Sequence, residues 1–172
     1  NLETNYNFGA DASVSKYFTS YWYFYFLVSQ YYNQNKFVDV TTNAIIDNST
    51  WTTYLRANNY FTLLKDESLY ADMAFTYISP YVQGNASFRA YSKLGINFRK
   101  TFWNKDASIS IGVEDIFNKG NIYSTRNYLE QNNSTSTRRE NRLFVLGFRY
   151  KFGNTKIRDN SKSKSTDENN RL

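Results

Sequence analysis

The sequence predicts an all-β chain: an antiparallel transmembrane β-barrel segment of about seven long strands, followed by a disordered polar tail. Three observations predict it. Apolar residues recur with period two through residues 1–153. Aromatic residues make up 19% of the 172 and sit at the ends of the apolar faces. Charged residues avoid those faces in the middle of strands. No apolar run approaches the roughly 20 residues that a membrane helix needs. A barrel needs no such run, because outward and inward residues alternate and average to a polar composition.

The elements follow in chain order. Residues 2–14 place Tyr6, Phe8, Ala10, Ala12 and Val14 on one face, with Asn5, Asn7, Asp11 and Ser13 on the other. Residues 21–32 set Trp22, Phe24, Phe26, Val28 and Tyr32 against Tyr21, Tyr23, Tyr25 and Ser29. In 51–63, Trp51, Leu55, Ala57, Phe61 and Leu63 oppose Arg56 and Asn58. In 69–79, Leu69, Ala71, Met73, Phe75 and Tyr77 oppose Asp72 and Thr76. Residues 86–99 read as one strand, with Phe88, Ala90, Leu94, Ile96 and Phe98 against Arg89, Lys93, Asn97 and Arg99. Residues 107–114 alternate Ile109, Ile111 and Val113 with Ser108, Ser110 and Glu114. Residues 142–152 set Phe144, Leu146, Phe148, Tyr150 and Phe152 against Arg149 and Lys151.

Short connections are expected at 15–20, 64–68 and 100–106, and long polar ones at 33–50 and 118–141. Short turns at one end and long loops at the other are the asymmetry of an outer-membrane barrel. Residues 80–85 fall on the long-loop side although they are few. After Gly153 the aromatics stop, and residues 154–172 are too polar to offset their ordering entropy. Two domains result: the barrel segment over 1–153 and the tail over 154–172.

A soluble antiparallel sandwich would produce the same alternation. Strand length favours the barrel, since most of these strands exceed the 5 or 6 residues common in soluble sheets. Trp22 and Tyr32 share one face ten residues apart. At about 3.3 Å per residue that is roughly 33 Å of strand, or about 25 Å of membrane depth at a tilt near 40°. Arg56, Asp72, Arg89, Lys93, Glu114 and Arg149 all fall opposite the apolar residues and are expected to face the lumen.

Cysteine and histidine are absent. That excludes thiolate and imidazole catalysis, disulfides and Cys/His zinc sites, and an enzyme would need carboxylates, Lys or Tyr alone; no enzyme and no cofactor is expected. Asp72, Glu114 and Asp115 could pair for acid–base work, but solvated charges fit their spacing better. The basic residues Arg56, Arg89, Lys93, Arg99 and Arg149, in a chain of net charge +6, could line a path for anions or contact nucleic acid. Nucleic acid is not expected as a partner, because the cations and most Phe residues fall on opposite faces and share no stacking surface. The chain opens on Asn1 without an initiator Met, so a processed product or a fragment is expected.

Two stretches resemble TonB-dependent outer-membrane receptors. Asp115-Ile116-Phe117-Asn118 is similar to the end of one of their late strands, and Leu146 through Gly153 to their closing strand. The run 80–84 leading into Tyr91-Ser92-Lys93-Leu94-Gly95 is similar to their late hairpins. Gly147, Tyr150 and Phe152 resemble the carboxy-terminal signal read by the barrel assembly machinery, although Val145 stands where that signal usually has a polar residue. The resemblance covers about residues 1 to 153. It implies the C-terminal part of a barrel of about 22 strands, embedded in outer-membrane lipid. Such receptors import a bulky solute. The partners it implies are the rest of the receptor (a plug and N-terminal strands), the TonB energy-coupling complex acting through that plug, and the assembly machinery. A small self-contained barrel, porin-like or adhesin-like, is the rival within the membrane.

Overall fold

The computed structural model describes residues 2–39, 42–128, 131–138 and 141–153. Its elements are β1 (Leu2–Thr19), β2 (Trp22–Val38), β3 (Ile45–Thr62), β4 (Leu69–Ile78), β5 (Tyr81–Gln83), β6 (Ala86–Phe88), β7 (Tyr91–Phe102), β8 (Ala107–Val113), β9 (Ile122–Tyr128), β10 (Gln131–Thr137) and β11 (Phe144–Tyr150). Seven of them form one antiparallel sheet, the wall, in the order β1-β2-β3-β4-β7-β8-β11. The other four form a second sheet in the order β10-β9-β6-β5. Residues 154–172, expected to be a disordered tail, lie outside the described residues.

Directly paired residues in an antiparallel ladder share a face, so the register fixes what each side of the wall presents. One row reads Trp22, Phe61, Ala71, Phe98, Ile111, Leu146 across six strands. A second reads Val14, Phe26, Ala57, Phe75, Leu94. The opposite face carries Ser13, Leu27, Arg56, Thr76, Lys93 in one row. Another of its rows runs Tyr17, Tyr23, Tyr60, Asp72, Asn97, Gly112, Val145 across all seven strands. The period-two reading of the wall strands is the reading of these two faces.

Aromatic clusters bound the apolar face at two levels. Phe8, Tyr32 and Trp51 meet with centroids 5.3–5.5 Å apart. Phe18, Trp22 and Phe61 meet at 4.5 and 5.9 Å. Two polar features on this face escape the pattern of the sequence, and both are satisfied internally. Thr53 Oγ1 donates to Gln30 Oε1 at 2.6 Å, and the Trp22 indole N–H donates to Asn59 Oδ1 at 3.0 Å. An amide without a partner in a lipid-like environment would cost several kcal/mol, roughly 4–8 on an alkane scale. Beyond the Tyr32–Trp51 level the same face turns polar, and Gln34 Nε2 donates to Asp47 Oδ2 at 2.6 Å.

Several expected boundaries move. The connection expected over 33–50 is mostly strand: β2 reaches Val38 and β3 starts at Ile45. Its Asn, Gln, Ser and Thr residues have a loop-like composition, yet above the apolar band a strand needs no apolar face. Likewise β1 and β2 leave only Ser20 and Tyr21 between them, and β7 and β8 leave 103–106. The strand expected over 86–99 is broken. Arg89 N–H donates to Tyr123 O at 3.0 Å instead of joining the wall ladder, and Phe88 stacks on Tyr81 at 4.5 Å and 1°. Residues 118–141 are not simply a loop, because they contain the β9–β10 hairpin.

The second sheet lies over the polar face of β2 and β3, at the end opposite the short turns. Asn48 Nδ2 donates to Gly84 O at 2.9 Å and to Ala86 O at 3.4 Å, and Asn33 Nδ2 donates to Val82 O at 3.3 Å. Thr52, fully buried, donates to Pro80 O at 3.3 Å. Val82 and Ala86 are buried beneath this contact. Gly84, at φ 57°, makes the two-residue turn between β5 and β6.

Candidate functional site

The site is the polar face of the wall together with the sheet that covers part of it. Period two aims alternate side chains of β3, β4, β7 and β8 at this face. Arg56 and Lys93 fall in one row and Asp72 in another; Arg149 lies on the same face of β11. Glu114 follows the last residue of β8 and donates its N–H to Leu143 O at 2.9 Å. Arg89 does not join them, because the break before β7 carries it out of the wall and onto the Tyr123 ring, 5.7 Å from the centroid.

A groove of about 350 Å³ runs along this face, with Asp72, Lys93, Asn97 and Glu114 on its lining. Ala74, Gly95 and Gly112 also line it, and their small side chains leave the room. Asn97 Nδ2 donates to Asp72 Oδ1 at 2.9 Å, so the carboxylate is held by an amide instead of a cation. Nearer the short turns lies a tyrosine patch, with Tyr17 and Tyr23 4.7 Å apart and Tyr23 and Tyr60 5.8 Å apart. Arg99 stands 4.9 Å over the Tyr70 ring beside it. The alternation of the sequence placed Tyr23 on this face, and the register gathers Tyr17, Tyr60 and Tyr70 beside it from β1, β3 and β4.

Asp115 overturns the solvated-charge expectation. It is 3% exposed, and its carboxylate accepts from Lys119 N–H at 3.0 Å and Gly120 N–H at 2.7 Å. Asp115 O also accepts from Asn118 N–H at 2.8 Å. The Asp115–Asn118 run is therefore a carboxylate-tied turn. A side chain at Gly120 would force its neighbours to shift: a Cβ would lie 2.6 Å from Lys93 Cε and 2.7 Å from Asp115 Oδ2. The signal was the Asp-x-x-Asn pattern followed by Gly, which marks a side-chain-to-backbone turn.

Of the assembly-signal residues, Gly147 lies in the polar-face row opposite Ser110, whose Oγ would be 2.5 Å from an added Cβ. Tyr150 lies in the ladder on the apolar side and packs edge-on against Phe152 at 4.5 Å and Trp103 at 5.8 Å. Phe152 follows the end of β11 and is 85% exposed.

At the short-turn end, hydrogen bonds from the Ser68 hydroxyl and N–H hold the Asp66 carboxyl below its ordinary range. Lys105 is raised by its bond to Glu67 at 2.9 Å. No group of three or more acidic residues close enough to hold a metal occurs among the described residues.

A long-stranded antiparallel wall, apolar between two aromatic levels on one side and polar on the other, defines a membrane β-barrel protein. Residues 1–150 match the model of the outer membrane protein beta-barrel family. The chain belongs to that family, and its place is the bacterial outer membrane. No curated protein and no solved structure gives a match.

Proposed function

We propose that this chain is barrel wall of a TonB-dependent outer-membrane receptor that imports a bulky solute. In this reading the apolar face meets lipid and the polar face lines the interior. The short turns lie in the periplasm and the second sheet sits at the outer mouth. The observation that carries it is the linear wall order, with β1 and β11 at its two ends. An exposed strand edge in lipid leaves unpaired backbone donors and acceptors, which further receptor strands would pair. The late-hairpin and closing-strand resemblances supply the family choice. The chain itself does no chemistry here; capture and release of solute belong to the loops and the plug, and the plug couples to TonB.

The test has two parts. Single cysteines at Asn43 and Asn133 in the complete protein should react with an impermeant thiol reagent on intact cells, and one at Asp66 should not. Residues 1–153 expressed alone should aggregate, and co-expression of the remaining receptor strands should rescue them. A monodisperse monomer in detergent with β1 cross-linked to β11 would establish a self-contained, porin-like barrel instead.

A further inference from the structure

We propose that the pocket between the start of β7, the Asp115-capped turn and β9 binds a tetrahedral oxyanion, phosphate or a phosphate ester. The pocket is an open depression of about 500 Å³, lined by Arg89, Lys119, Ser92, Asn118, Asn121 and Tyr123, among others. None of its lining residues is acidic. Neither Arg89 nor Lys119 has an ion pair among the described residues. Both cations line one pocket without a carboxylate to neutralise them, and an anion bound there would be attracted to both.

Backbone hydrogen bonds fix the main chain from which both cations project. Arg89 N–H donates to Tyr123 O at 3.0 Å, and its guanidinium lies 5.7 Å over the ring of the same residue. The Lys119 main chain is pinned from two sides: its N–H donates to Asp115 Oδ1 at 3.0 Å, and its carbonyl accepts from Ser92 N–H at 3.4 Å. The Asp115 carboxylate, 3% exposed, is turned onto backbone N–H groups of this turn. Asn121, also on the lining, is held by Asn141, whose Nδ2 donates to its Oδ1. A lining that carries a guanidinium fork, an ammonium, amides and hydroxyls suits an anion with several oxygens better than a planar carboxylate. The inference does not depend on the receptor reading, since a porin-like wall would carry the same pocket.

The test uses the full-length protein in a neutral detergent, titrated with inorganic phosphate, with glucose 1-phosphate and with glucose. Phosphate or its ester should bind saturably, and glucose should not. The double variant Arg89→Gln/Lys119→Gln should weaken binding at least about tenfold. Arg89→Lys should keep most of it, and Lys65→Gln at the opposite end should change nothing. A second arm compares lipid A and its dephosphorylated form co-purifying with wild type and with the double variant. Retention of the phosphorylated form by wild type alone assigns the site to a lipid phosphate; binding of the free anion alone assigns it to a solute. A third reading needs no variant: in wild type, saturating phosphate should protect Lys119 from amine acylation and leave Lys65 unprotected. Equal binding by wild type and the double variant in both arms, or no protection of Lys119 by either ligand, overturns the proposal.

Discussion

Ile96 and Asn97 are neighbours in β7 and should respond oppositely to the same substitution. Ile96 pairs with Met73 and Val113 in an apolar row; Asn97 pairs with Asp72 and Gly112 in a polar one. Ile96 stands six residues before Phe102, the aromatic that ends β7 near the short turns. Six residues are about 20 Å of strand, or roughly 15 Å of depth at a 40° tilt, close to the bilayer midplane. Arginine on the lipid face there costs about 2–4 kcal/mol, a factor of about 30 to 700 in the folding equilibrium. Asn97→Arg loses the 2.9 Å bond to Asp72 but brings a guanidinium to that carboxylate, so its net effect should stay within about 1 kcal/mol. The assay is reversible urea unfolding of the complete protein in phospholipid vesicles, followed by tryptophan fluorescence. Equal destabilisation by the two variants would refute the assignment of faces, and with it the membrane reading of the alternation.

Three further outcomes are expected. Asp115→Ala leaves the Lys119 and Gly120 N–H groups without their acceptor and should destabilise the turn by about 2–4 kcal/mol, seen as faster amide exchange at 118–120, while Gly120→Ala should open the same turn by collision with Lys93 and Asp115. Asn48→Ala removes the bonds to Gly84 and Ala86 and should speed amide exchange across β5 and β6 about 5- to 30-fold with the wall unchanged; unchanged exchange would show that the second sheet is held by other contacts. The Asp66 carboxyl is lower in the folded turn than in the unfolded chain, so its stabilising effect is present above the ordinary carboxylate range and is lost as pH falls through the lowered value; the Ser68 amide should loosen on acidification, and Asp66→Asn should remove that dependence.

The sequence by itself determined the wall. Period two is a local property of a strand, so the alternation of Phe88-free segments such as Leu94, Ile96 and Phe98 identifies a face without knowledge of its neighbours. The same holds for the girdle spacing of Trp22 and Tyr32, and for the opposite placement of Arg56, Asp72 and Lys93. Tertiary structure decided what polar segments do. A run such as Asn33-Gln34-Asn35 has the composition of a loop and of a water-exposed strand alike; the β3 partner opposite it made it strand. Local pattern also continued Phe88 and Arg89 into β7, whereas the Tyr81 ring and the Tyr123 carbonyl, distant in sequence, took them into the second sheet. Asp115 read as one more solvated charge until the turn folded two backbone N–H groups onto it. Burial and pairing at these positions depend on which chain segment arrives from elsewhere, and a polar side chain records that far more weakly than an apolar one records its face.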